Sequence, residues 1–265
     1  MNGLRNAGIS IIGAGNIAVN LTYALKKKGY SIRYIYNRSD VSGRRLARKT
    51  GAEFSDDPAV AGKKAGIIFL AVSDDAIRTM AEWIRPGHSL VVHCSGTTGI
   101  SVFKGLFVNY GVFNPVQTFL RSRPASMKNV PFCIEANNPA NEKILTKLAL
   151  DLGGKPYLMS SQQRMIVHLC SVLTSNFTNY LNSAAEDLLT SHGISFEILL
   201  PLLRRTARNA EKTNIFSRQT GPAIRGDRDV IKKHLALLAN HADHAGIYKI
   251  LTESIIKYKR YNGKL

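Results

Sequence analysis

The first half of the chain alternates two patterns. Short apolar runs fall at residues 8–12, 32–36, 52–54, 65–71, 88–93, 111–113, 131–135 and 156–158. Between them lie stretches whose apolar positions recur every three or four residues, for instance 16–28, 74–84 and 139–152. Strand and helix patterns alternating at this short spacing predict an α/β fold with a doubly wound, mostly parallel sheet. From Ser160 onward the strand signals stop, and long helical patterns take over at 162–190, 195–212, 227–241 and 242–261. The expected organisation is an α/β domain over 1–159 and an all-α domain over 160–265, with no internal repeat and no low-complexity linker. The longest apolar run, 66–72, is far too short to cross a bilayer. No charged-then-apolar leader precedes the first strand, which argues against secretion.

The first strand runs directly into a glycine turn, Gly13-Ala14-Gly15-Asn16-Ile17-Ala18, and then into a helix carrying Leu21, Ala24 and Leu25. A strand, a GxGxxA turn and a helix in that order form the dinucleotide-binding fingerprint of a Rossmann-type domain. Gly13 permits the tight turn, Gly15 lets the backbone approach a pyrophosphate, and Ala18 lets the helix pack close to the sheet. The N–H groups at the start of the helix, around Asn16 and Ile17, face the phosphates.

The end of the second strand selects the cofactor. Where an NAD-binding domain places Asp or Glu on the ribose 2′-OH, this chain reads Asn37-Arg38-Ser39, with Arg44, Arg45 and Arg48 following. A guanidinium and a hydroxyl suit a 2′-phosphate, because Arg offers charge-assisted, bidentate hydrogen bonds to its oxygens. NADP is therefore the expected cofactor. Asp40, the nearest acid, reads as a helix cap, and Arg45 and Arg48 read equally well as a solvated helix face.

Charge changes the list of partners. The chain carries 36 basic against 18 acidic residues, a net charge of +18, which nucleic-acid binding would also produce. The basic residues are dispersed in small groups, however: 26–28, Lys63-Lys64, Arg121 and Arg123, Arg204-Arg205, Lys232-Lys233 and the tail 257–264. No basic block is interleaved with stacking aromatics, so a nucleic acid is not expected as a partner. Nor is a membrane; an anionic cofactor and a small-molecule substrate fit better. Cys94, Cys133 and Cys170 are scattered and odd in number, as free thiols in a reducing cytoplasm would be.

In a parallel α/β sheet, ligands bind beyond the carboxyl ends of the strands. Three loops therefore draw notice: Val72-Ser73-Asp74-Asp75 beside the ribose or phosphates, the Ser95 loop (94–99) near the nicotinamide, and 114–119 facing the substrate. Each also reads as turn chemistry, with Asp74 as a helix cap. In the helical half, His168, Ser171, Ser175 and Asn179 recur at three- and four-residue steps and share a face, with Asn176 close by. Such a stripe lines a cleft or faces solvent. The Gly-Pro loop 219–227 holds Asp227, a natural helix cap, and Arg225, which has no such structural role in the sequence. His234, His241 and His244 lie along one side of a helical stretch, but no Cys or firmly placed carboxylate joins them, and no metal is expected.

Taken together, the GxGxxA turn, Asn37-Arg38-Ser39, Phe113-Asn114-Pro115-Val116-Gln117-Thr118-Phe119, the 168–179 helix and Thr220-Gly221-Pro222 through Arg225-Gly226-Asp227 with His234 resemble a family. It is that of the uncharacterised Rossmann-like NADP oxidoreductases with a C-terminal helical domain of unknown function. More distantly the chain is similar to pyrroline-5-carboxylate reductase, the deazaflavin-dependent NADP reductases and the β-hydroxyacid dehydrogenases. The last group carries a Lys and an Asn one turn apart on the first interdomain helix. Here no Lys occupies that face, and His168 with Asn176 or Asn179 stands nearest. The resemblance implies hydride transfer between the nicotinamide and a small carbonyl, imine or hydroxy-acid substrate in an interdomain cleft. In that reading His168 is the general acid or base, Ser95 and Asn176 or Asn179 orient the substrate, and Arg225 clamps a carboxylate. Dimerisation through the C-terminal helices is implied as well. The alternative is a non-catalytic NADP-binding sensor or scaffold, which the missing Lys favours.

Overall fold

A computed structural model describes residues 7–262 except 63, 64 and 213; Lys63, Lys64 and Lys264 of the basic groups lie outside the described residues. The chain divides into two compact units, one up to Asn176 and the other from Phe177 onward. The first contains strands β1 (Ile9–Ile12), β2 (Ile32–Tyr36), β3 (Glu53–Ser55), β4 (Ile67–Leu70), β5 (Leu90–His93), β6 (Tyr110–Pro115), β7 (Pro131–Ala136) and β8 (Lys155–Leu158). They form one eight-stranded sheet in the order β3-β2-β1-β4-β5-β6-β7-β8. Every pairing is parallel except β6 with β7, where Phe113 faces Ile134 and Asn114 faces Cys133. The chain leaves β1 toward β2 on one side and returns to β4 on the other, so the switch point lies between β1 and β4, beyond whose carboxyl ends a ligand belongs.

Alternation along the strands divides the core between the two faces. Ile11, Phe69 and Val92 pack with Ala18, Leu21 and Leu25 of the Asn16–Lys27 helix and with Leu145 and Leu148 of the Pro139–Asp151 helix. Ile12, Leu70 and Val91 turn the other way, against Ile77, Met80 and Ala81 of the Asp74–Trp83 helix. Because both faces are covered, β1, β4 and β5 are apolar nearly throughout, which is why they stood out as continuous runs.

Several local expectations are corrected. Ser39 and Ser73, not Asp40 and Asp74, occupy the N-cap positions, and neither serine makes a side-chain cap bond. Asp40 instead pairs with Arg44 one turn on, at 3.2 Å. The helix expected over 162–190 is interrupted: α-helix Ser161–Ser171 passes into a π turn, Val172–Asn176, before α-helix Phe177–Ser191. The Ser171 and Thr174 hydroxyls donate to the carbonyls of Val167 and Cys170, at 2.8 and 2.9 Å, and this back-bonding competes with the regular ladder where it widens. The helix expected over 195–212 begins as a 3₁₀ turn, Phe196–Leu199, with Pro201 setting the start of the α-helix Leu200–Ala210.

The second unit is all helical: Phe177–Ser191, Leu200–Ala210, the short Pro222–Arg225, Arg228–Leu237 and Ala242–Asn262. Only Ala223 and Leu238 are buried among its described residues. No described helix in the chain is long and apolar enough to cross a membrane.

Candidate functional site

The glycine turn lies where β1 ends. Gly13 has φ 120°, a conformation open to glycine, and its N–H donates to the Tyr36 carbonyl at 2.7 Å. A Cβ there would collide with the Ala71 carbonyl oxygen. Gly15 is the N-cap of the Asn16–Lys27 helix, with no side chain capping the free N–H groups, and a Cβ added to it would meet nothing within 4 Å. An uncapped helix N-terminus facing open space fits a pyrophosphate, which would take up those N–H groups.

That space is a cavity of about 800 Å³. Gly13, Gly15, Asn16, Ile17, Asn37, Arg38, Val72, Ser73 and Ser95 all line it, bringing together nearly all of the expected cofactor contacts; Ser39 does not line it. Asn37 shapes the loop, its Nδ2 donating to the Ser39 carbonyl and the Ser42 hydroxyl, each at 2.9 Å. Arg38 is exposed on the rim, whereas Arg44 is engaged by Asp40 and lies over the Phe54 ring at 4.5 Å. No carboxylate stands at the end of β2 to repel a 2′-phosphate.

A second cavity, about 460 Å³, adjoins the first: Ile17, Asp74, Cys94 and Ser95 line both. Its other walls come from the 114–118 loop and from Val167, His168, Ser171, Val172, Thr174, Ser175 and Asn176. The π turn gives Thr174, Ser175 and Asn176 together to this wall, where a regular helix would carry successive residues away around its axis. His168 lies against the Ser95 loop, and only the missing side chain of Gly96 makes room: a Cβ there would stand 2.7 Å from His168 Nδ1. The Thr118 and Ser175 hydroxyls meet at 3.2 Å across the pocket.

Ser95 has a second task. Its Oγ accepts from the backbone N–H groups of Thr97 and Thr98, at 3.0 and 2.9 Å, and so holds the loop in its turn. Thr97 in turn donates to Asp74. Burial pushes the Cys94 thiol up to about 12, so it stays protonated at neutral pH and is no nucleophile. Burial, and after it the Arg164 charge, hold His93 down to about 3, with Asp74 opposing. His93 is therefore a neutral core residue whose Nδ1 accepts from the Ser95 N–H at 3.2 Å.

Two structural devices were not read from the sequence. Arg164, fully buried, pairs with Glu135 and donates to the Thr98 carbonyl at 2.6 Å, while Ser161 donates to the same carboxylate at 2.7 Å. This network ties the helix of His168 to β7 and to the Ser95 loop. Arg164 precedes His168 by one helical turn, which was a usable signal; Glu135 gave none. Asn16 Oδ1 accepts from the Arg121 N–H at 3.2 Å, and buried Asn20 accepts from Ala125 at 2.6 Å, so both hold the 120–125 segment against the cofactor helix. An amide among the apolar core positions Ala18, Leu21 and Leu25 was the signal at Asn20.

The remaining expected residues lie in the second unit. Asn179 is exposed on Phe177–Ser191. Arg225 does have a local structural role: its Nε donates to Asp227 at 2.8 Å. Asp227 sits at the N-cap of Arg228–Leu237, but its side chain makes no cap bond and receives Arg225 instead. His234 Nδ1 meets the Tyr248 hydroxyl at 2.8 Å, and His241 and His244 stack with ring centroids 5.7 Å apart. Among the described residues no group of three or more His, Cys, Asp or Glu side chains is arranged to hold a metal.

Residues 8–96 match the family "NADP oxidoreductase coenzyme F420-dependent", and residues 130–255 match a domain of unknown function, DUF2520. The structure of a "putative NADP oxidoreductase" from Bacteroides fragilis is 36% identical, covering 96% of this chain and 100% of its own, with a TM-score of 0.89. The chain belongs to the NADP oxidoreductase family. A Thermotoga maritima protein is 26% identical over 92% of this chain and 98% of its own, with a TM-score of 0.73. The imine reductase of Myxococcus stipitatus in complex with NADP⁺, 16% identical over 97% of this chain and 95% of its own, shares the fold at a TM-score of 0.72. No protein of curated function matches the sequence. The family has the Rossmann sheet and helical C-terminal region described above.

Proposed function

We propose that this chain is an NADP-dependent oxidoreductase acting on a small carbonyl, imine or hydroxy-acid substrate in the pocket lined by Ser95, His168 and Asn176. The observation that carries the reading is the continuity of the two cavities through Ile17, Asp74, Cys94 and Ser95. A groove fitted to a dinucleotide leads directly into a small polar pocket that contains a histidine. When bound, the nicotinamide supplies or accepts the hydride. Residues 13–17 bind the pyrophosphate through backbone N–H groups, and Arg38 binds the 2′-phosphate. His168 passes a proton to or from the substrate oxygen or nitrogen, a role to which imidazole is suited near neutral pH. Asn176 orients that atom, and Arg164 holds the helix that carries both residues.

We further propose a homodimer through the second unit. Ile198, Leu202, Leu237 and Ile250 are each more than half exposed there, and apolar surface of that extent calls for a cover. The free thiols suit a reducing cytoplasm.

A screen of small ketones, imines and hydroxy acids with NADPH or NADP⁺ tests the catalytic reading. At least one compound turns over, and His168→Ala lowers kcat by roughly 10² to 10⁴ while leaving NADPH affinity unchanged. No turnover of any compound, with cofactor binding intact, would instead favour a sensor.

A further inference from the structure

The pocket beside His168 has uncommitted hydrogen-bonding groups of a particular kind. Several of its polar atoms are already engaged: the Ser171 and Thr174 hydroxyls by their own helix, Ser95 Oγ by two backbone N–H groups, and Asn114 Nδ2 by the Cys94 carbonyl at 2.8 Å. The side-chain amides that remain are neutral. Asn114 Oδ1 is left as an acceptor, and Gln117 Nε2 as a donor, because Gln117 Oε1 takes the Thr118 N–H at 2.9 Å. The Asn176 amide offers both functions on the wall formed by the π turn.

The charges point the same way. Among the described residues that line this pocket there is no Arg or Lys, and its one carboxylate is Asp74. Asp74 stands in the first turn of the Asp74–Trp83 helix. Arg164, the nearest buried cation on the same helix as His168, is already paired with Glu135. An anionic group entering the pocket would leave water and meet Asp74, with no Arg or Lys in the lining to pair with it.

We infer that the pocket takes an uncharged substrate with a carboxamide or hydroxyl beside its reacting carbonyl, and that it disfavours keto acids and other anions. The inference rests on the pocket being the reaction site proposed above. In the reducing direction the carbonyl carbon gains a hydride with NADPH as the two-electron donor, and the π electrons move onto oxygen. That oxygen takes a proton from His168, which recovers it from water, and the alcohol and NADP⁺ result. Gln117 and Asn176 bind the neighbouring carboxamide oxygen as donors, and Asn114 accepts from its N–H.

Matched probes of equal size test this: 2-oxobutanamide against 2-oxobutanoate, with the full-length protein and NADPH. Two readouts are taken, NADPH oxidation and the shifts of the His168 imidazole protons, assigned with His168→Gln. The amide is expected to exceed the acid by at least about tenfold in kcat/KM. Asn176→Ala raises the KM for the amide by roughly tenfold. Asp74→Asn, whose amide can still receive Thr97, narrows the amide-to-acid ratio. If neither compound is reduced but the amide alone shifts His168, the substrate class stands and the hydride-transfer reading fails. Equal or better use of the acid, or no shift of His168 by the amide, overturns the inference.

Discussion

The two units of this chain manage apolar surface in opposite ways. Up to Asn176, the central strands β1, β4 and β5 are sealed on both faces, and Ile11, Phe69, Val92 and Phe113 have essentially no exposure, while exposed apolar side chains such as Leu158, Ile166 and Leu169 gather toward the end of the unit. From Phe177 onward, Leu237 is 73% exposed and Ile250 65%. A buried side chain of that size contributes about 1.5–3 kcal/mol to folding, and an exposed one contributes almost nothing until something covers it. The first unit therefore carries its own stability. The second is stable to the extent that its apolar helix faces find a partner, which is why a second copy was proposed as the cover.

The largest expected effect breaks that contrast directly. Leu237→Asp combined with Ile250→Asp is predicted to turn the proposed dimer into monomers by sedimentation. Amide exchange protection in residues 177–262 should fall by orders of magnitude, with β1, β4 and β5 unaffected. A monomeric wild-type protein with a well-protected second unit would remove the basis of the comparison.

A smaller effect sharpens the account of the first unit. The native state keeps His93 neutral down to about pH 3, whereas in the unfolded chain it takes up a proton below about 6.5. The unfolded state thus binds more protons across that window, so this group makes stability fall as pH drops from about 6.5 toward 3, and its contribution is constant above it. The slope reaches at most about 1.4 kcal/mol per pH unit. Urea unfolding at pH 4 to 8 checks this, with His93→Gln expected to flatten the acid limb. An unchanged limb would mean that His93 is accessible to water.

The same contrast explains what the sequence made legible. Strand positions, the glycine turn and the Asn37-Arg38 cofactor signal depend on neighbours in the chain, and β2 was read to the residue at Ile32–Tyr36. The polar wall of His168, Ser171 and Ser175 also came from local periodicity. The π turn did not, because hydroxyl back-bonding at Ser171 and Thr174 can be accommodated in an ordinary helix as well. Nor did the Arg164–Glu135 pair, whose partners lie in separate elements and are joined only by folding. The sequence shows no structural role for Arg225 and a cap for Asp227, whereas the two bind each other. Local competition between a cap and an ion pair is decided by side-chain geometry that spacing does not encode.

The first unit is built for NADP, and calorimetric titration of NADPH and NADH measures that preference. The wild-type protein should bind NADPH at least about tenfold more tightly, about 1.4 kcal/mol, and Arg38→Ala should erase most of that gap while leaving NADH affinity nearly unchanged. Equal affinities for the two cofactors in the wild-type protein would contradict the account.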